Sequence, residues 1–138
     1  MRYVLDACVA LKWTLLETDS YKALLLRDDF QNQVHELIAP DIFLIECAHT
    51  LSKKQRQGLV PDSAKLWEEI ILDVPDLLPS FPLMRRALAI SNQARIGVYD
   101  CLCVALAERE GCELVTSDER LIKNLQAKFP FIVALSSL

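Results

Sequence analysis

Glycine is scarce in this chain, three among 138 residues, and neither G-x-G-x-x-G nor G-x-x-x-x-G-K occurs. The fingerprints of a dinucleotide fold and of a P-loop are therefore absent. No C-x-x-C pair exists, and the five cysteines (Cys8, Cys47, Cys101, Cys103, Cys112) are odd in number, with neither His35 nor His49 near a cysteine pair in sequence. That pattern argues against a structural zinc site and against a disulfide framework, and it reads as small buried thiols in a reducing compartment. Basic residues are not in excess: 15 Lys and Arg face 19 Asp and Glu, for a net charge of -4. A protein that grips nucleic acid through overall basic charge is excluded, and only local patches remain open. Long apolar runs are missing too. The stretches Ile42 to Ser52 and Ile96 to Ala107 are too short to span a bilayer and carry Glu46 and Asp100. At the start of the chain Asp6 arrives too soon for a signal-peptide core. No membrane anchor is expected, and a cytoplasmic location follows.

What is present is a composition of 52% hydrophobic and 25% charged residues, which suits one folded domain over residues 1–138. Met1 to Leu5 reads as a strand and Cys8 to Leu16 as a helix. Asp19 to Gln33 is helical and Glu36 to Ala39 a second strand, ended by Pro40. Phe43 to Gln57 carries the stripe Leu44, Cys47, Ala48, Leu51 and stops at Gly58; its end is basic, with Lys53, Lys54 and Arg56. Pro61 fits the first turn of a helix running to Asp73. Leu77 to Phe81 is a third strand of edge type because of Pro79, followed by a helix over Leu83 to Gln93. Tyr99 to Glu110 is apolar nearly all round, hence a buried helix closed by Gly111. Glu113 to Thr116 is a strand, Glu119 to Lys128 a helix, and Phe131 to Leu135 the last strand. Strands alternating with helical connections predict a three-layer α/β/α sandwich with a mainly parallel central sheet.

Four of the acids sit where solvation does not explain them. Asp6 and Asp118 follow strands at their carboxyl ends, where open parallel sheets bind ligands. Asp100 opens the buried helix on the same stripe as Cys103, Val104 and Ala107, and Glu46 interrupts the apolar run Ile42 to Ala48. Each has a plainer explanation. Asp6, Asp100 and Asp118 suit helix N-caps, and Thr116-Ser117-Asp118-Glu119 contains a T-x-x-E capping box that would leave Asp118 a mere first-turn acid. Glu46 can pair with Lys53 two turns on.

If the sheet gathers these carboxylates, their repulsion in a partly desolvated site opposes full ionisation, and a divalent cation removes that penalty. All-oxygen ligands select a hard ion, Mg²⁺ or Mn²⁺, held together with substrate phosphate. The chemistry indicated is phosphodiester hydrolysis by a metal-oriented water. With the four set aside, the remaining acids equal the 15 basic residues. Lys53, Lys54, Arg56, Arg85 and Arg86 are read as solvated, with no role in the site. His49 makes a lone E-x-x-H with Glu46 but lacks the second motif of a di-iron helix, and Asp6 followed by Cys8 fails the D-x-D opening of a haloacid-dehalogenase-type phosphatase.

These same residues carry a resemblance over almost the whole chain. V-L-D-A-C-V-A-L-K-W, A-P-D-I-F-L-I-E-C-A, V-Y-D-C-L-C-V-A-L-A-E and L-V-T-S-D-E-R-L resemble, in order, the four acidic motifs of PIN-domain ribonucleases, particularly VapC-like toxins of prokaryotic toxin-antitoxin pairs. The resemblance places metal binding and catalysis on Asp6, Glu46, Asp100 and Asp118. It implies Mg²⁺-dependent RNA cleavage to 5′-phosphate and 3′-hydroxyl products, a homodimer and a cognate antitoxin protein. A catalytically silent PIN-like module that binds RNA or protein is the alternative. Cys8 departs from the pattern, standing where a small hydroxyl is usual, while Cys47 and Cys101 replace small residues such as Ala. Thiols beside the acids raise the further idea of sensitivity to oxidation or soft metals.

Overall fold

Strands joined by connections of helical length can share a sheet only through parallel crossovers. The computed structural model of residues 1–138 has five strands: β1 (Arg2–Leu5), β2 (Glu36–Pro40), β3 (Asp76–Leu78), β4 (Glu113–Thr116) and β5 (Ile132–Ala134). Their spatial order is β3-β2-β1-β4-β5, and every neighbouring pair is parallel, so the expected mainly parallel sheet is wholly so. Seven helices connect them: α1 (Ala7–Leu11), α2 (Ser20–Gln31), α3 (Phe43–Arg56), α4 (Ser63–Ile71), α5 (Met84–Ala94), α6 (Val98–Glu110) and α7 (Glu119–Leu125).

Because side chains alternate across a strand, the sheet has two apolar faces. Val4, Ile38, Leu114 and Ile132 point into one cluster with residues of α5, α6 and α7. Tyr3, Leu5, Leu37, Ala39 and Val115 point into the other, against α1 to α4. The result is the three-layer α/β/α sandwich that the alternation predicts. Buried α6 lies across β1, β2 and β4, carrying Cys101 to Ala107 into the core without a break.

Several element ends differ from the sequence reading for local reasons. α1 stops at Leu11, not Leu16, where the buried Trp13 indole N–H donates to the Ala23 carbonyl at 3.0 Å and ties the turn to α2. Pro61 precedes α4 rather than opening it, because the Asp62 side chain accepts the Lys65 N–H and sets the start at Ser63. β2 includes Pro40, whose missing donor is tolerated at a strand end. β3 ends before Pro79, and Phe81–Leu83 winds into a 3₁₀ turn. Ahead of Pro130, α7 closes at Leu125, whose carbonyl takes the N–H groups of both Lys128 and Phe129.

Two features of this topology place the site. From β1 the chain steps through β2 to β3 on one side, and β4 and β5 lie on the other, so the strand order reverses between β1 and β4. A crevice forms beyond the carboxyl ends of strands at such a reversal. The seam is hydrogen-bonded to its limit, with the Asp6 N–H donating to the Val115 carbonyl at 3.1 Å. No helix is long and apolar enough to cross a membrane.

The weight carried by α6 is measurable. Leu106→Ala, at a fully buried position, is expected to cost about 3 kcal/mol in urea unfolding. Leu88→Ala, on the exposed side of α5, should cost about 1 kcal/mol or less; equal losses would show that α6 is not the core element described.

Candidate active site

Asp6 leaves β1 in an extended conformation (φ -75°, ψ 142°) at the head of α1, yet its side chain makes no capping bond. Its carboxylate turns across the β1–β4 seam, where Oδ2 accepts the Thr116 hydroxyl at 2.7 Å, and the residue is only 6% exposed. Asp100 stands in the first turn of α6, whose cap position is Gly97, so it does not cap either. Glu46 stands in the first turn of α3 and forms no ion pair with Lys53. Asp118 does cap: Oδ1 accepts the N–H groups of Arg120 at 3.0 Å and Leu121 at 3.3 Å. Its other oxygen has no partner within the protein. The capping box read from Thr116 to Glu119 is thus corrected, because Asp118 takes the cap while Thr116 faces Asp6.

The four acids form one electrostatic unit centred on Asp6. Burial first, then Asp6 and Asp100, push Glu46 up from 4.5 to about 8. Burial first, then Asp6 and Asp118, push Asp100 from 3.8 to about 6 against the opposing charge of Arg120. Asp6 is raised by burial and by Asp118, against hydrogen bonds from Thr116 and Cys8. No lysine or arginine forms an ion pair with any of the four. No three His, Cys, Asp or Glu side chains are gathered into a ready ion-binding set. The acids are therefore a coupled cluster and not an assembled coordination sphere. Mutually repelling, unpaired, all-oxygen donors are the donor set that a hard divalent cation fits. A hollow of about 550 Å³, walled by Met1, Arg2 and Glu113 among others, contains none of these acids and lies at the amino ends of β1 and β4.

Thr116 is the residue that sequence reasoning passed over as a site group, and Cys8 is the one it marked only as a departure from the family pattern. The fully buried Thr116 hydroxyl donates to Asp6 and accepts the Asp118 N–H at 3.0 Å, linking two of the acids. The Cys8 sulfur lies 3.6 Å from that hydroxyl and accepts the Ser117 N–H at 3.4 Å. The available signal was the seam itself: residues just past the ends of neighbouring strands must meet. Burial first, then the charge of Asp6, raises the Cys8 thiol. Burial likewise pushes Cys47 up to about 12 and Cys101 to about 11. Thiols held protonated in this way lack the reactivity that an oxidation-sensitive site requires. Of the basic residues, Arg86 is committed to Glu108 and Arg56 donates to Ser52. Arg120 is the one cation felt by the acids.

The family model for the PIN domain matches residues 3–126. Ribonuclease VapC3 of Pyrobaculum aerophilum is 31% identical over 108 residues, spanning 74% of this chain and 78% of that relative. Among solved structures, PAE2754 from Pyrobaculum aerophilum superposes with a TM-score of 0.71 at 19% identity, covering 99% of this chain and 91% of that one. VapBC2 from Rickettsia felis, solved bound to a DNA fragment from their promoter, gives a TM-score of 0.62 at 18% identity, covering 97% of each chain. At those identities the structural likenesses speak to the fold.

Glu46 and Asp100 give the protein a measurable pH dependence. In chelator, the native state keeps protons that the unfolded chain releases near 4.5 and 3.8, so the native state binds more protons over the interval between. Their contribution is fully present below the unfolded values and is lost as pH rises through about 6 and about 8. Glu46→Gln should flatten the fall in Tm over this window and raise Tm at its alkaline end by roughly 5 °C. Superimposable wild-type and variant profiles would remove Glu46 from the coupled cluster.

Proposed function

The chain belongs to the PIN-domain family, and from that premise we propose that it is a metal-dependent endoribonuclease, the toxin of a toxin-antitoxin pair. The observation that carries the reading is a set of four carboxylates without ion-pair partners, in which Asp6 and Asp100 bear on Glu46, Asp118 bears on Asp6 and Asp100, and Asp6 and Asp118 follow the two strands that flank the strand-order reversal. Asp6, Glu46, Asp100 and Asp118 would hold Mg²⁺, or Mn²⁺ in its place. The bound cation would activate water and offset the charge that develops on an RNA phosphodiester.

The chain's own residues do the rest. The Thr116 hydroxyl fixes one oxygen of Asp6. Asp118 spends Oδ1 on the α7 N-terminus and keeps the other oxygen for a ligand. Glu46 holds a proton near neutrality, so cation uptake must release it, and apparent metal affinity should rise with pH. Neutral donors anchor the Asp6 carboxyl and favour its charged form against the opposing effect of burial. Exposed Arg120 is available to the RNA backbone.

The name of the 31% identical relative supports RNA as substrate, and the complex described for the Rickettsia felis structure supports an antitoxin chain as partner. We further propose that the chain acts as one domain, as a homodimer, in the cytoplasm where its RNA lies.

Purified protein with Mg²⁺ or Mn²⁺ should cut structured RNA, and chelation should stop it. Asp6→Asn and Asp100→Asn should each reduce single-turnover cleavage by about 10²-fold or more. Equal background cleavage by wild type and both variants across several RNAs, with RNA binding retained, would replace the nuclease reading by that of a silent binding module. Thr116→Val should lower metal affinity or rate by about 10- to 100-fold, with Thr116→Ser restoring most of it. A fully active Thr116→Val protein would reduce the hydroxyl to a packing element.

A further inference from the structure

Next to the acids is a second feature that the cleavage reading does not use. A hollow of about 420 Å³ is walled by Ile42, Ile45, Glu46, His49, Thr50 and Tyr99. Ile42, Ile45, Glu46 and His49 fall at i, i+3, i+4 and i+7, one continuous face at the start of α3. Tyr99 faces them from the first turn of α6, immediately before Asp100. It is 62% exposed, and its ring stacks on no other aromatic group and lies under no cation. Ile45 is 70% exposed.

The chemistry of these walls selects one part of a nucleotide. No lysine or arginine lines the hollow, so it offers a phosphate no positive charge. The neutral, flat, stackable part of the chain is the base, for which an exposed aromatic ring is a sequence-tolerant platform. His49 and Thr50 add hydrogen-bonding groups to its walls, and the volume falls in the range of small-ligand sites. Because Glu46 belongs both to the hollow and to the acid cluster, an occupant of the hollow adjoins the acids.

We propose that this hollow seats an unpaired base flanking the scissile bond, with the Tyr99 ring as its stacking platform. The assignment rests on the ribonuclease reading of the neighbouring acids. It makes single-stranded or looped RNA the preferred substrate, since a paired base cannot enter.

The test uses fluorescence anisotropy of labelled single-stranded RNA on Asp6→Asn protein, which leaves the RNA intact. Adding Tyr99→Ala should weaken binding about tenfold, and adding Tyr99→Phe should leave it within about twofold. RNA carrying an abasic nucleotide at one position should abolish the difference between Tyr99 and Ala. Unchanged melting would confirm that the exposed substitution preserves the fold. The proposal is overturned if Tyr99→Ala binds RNA as tightly as its parent, if Phe loses as much as Ala, or if every abasic RNA shows the full loss. It is also overturned if Tyr99→Ala changes only the molar mass by light scattering, which would make the hollow a protein contact. Cleavage by wild type is scored separately: its absence defeats the ribonuclease reading, while the binding comparison still decides the base seat.

Discussion

Repulsion among like charges is the constraint on which the site depends. Asp6 is nearly buried, and it acts electrostatically on Glu46 and Asp100 while feeling Asp118. A buried acid ordinarily finds a base or loses its charge. Here no lysine or arginine forms an ion pair with any of the four, although Lys53 lies two turns from Glu46 on the same helix and Arg120, two residues from Asp118, is felt by Asp100. The molecule thus tolerates a destabilising arrangement in the place where its sheet offers a crevice. Acids of one sign gathered without a counter-charge beside a topological reversal are a strained arrangement that a bound cation would relieve.

The tolerance is built from neutral donors. Thr116 gives its proton to Asp6 and receives the Asp118 N–H, so one hydroxyl orders two carboxylates without neutralising either. Cys8 extends the network with a sulfur that accepts the Ser117 N–H. A sulfur is a weaker and longer partner than a hydroxyl oxygen, so the orientation of Asp6 falls chiefly to Thr116. Asp118 divides its two oxygens between the α7 terminus and the site, joining helix stability to ligand geometry in one residue.

Long, strongly patterned segments were legible in the sequence. The strand Glu113–Thr116 and the buried helix ending at Gly111 come directly from apolar continuity and a glycine stop. The alternation of strands and helices yields the parallel sheet because no other closure suits such connections. Element ends were less legible, since they are set by tertiary partners: α1 is shortened by the bond from Trp13 to Ala23, and α4 is delayed by the Asp62 cap. Within the site, the carboxylates stand out because acids rarely occupy apolar runs. Thr116 did not, because a threonine before a helix has an equally good local use as a cap. Only the seam between β1 and β4, a contact across 110 positions of sequence, turns it toward Asp6. The hollow beside Tyr99 escaped for the same reason, being formed by helices distant in the chain.

That seam also governs timing. Asp6 is made 110 positions before Thr116, and its hydrogen bonds to Val115 and Thr116 cannot form until β4 has followed. A nascent chain therefore carries an incomplete set of acids without the hydroxyl that orders them. The acid cluster is thereby completed only once β4 has joined the sheet beside β1.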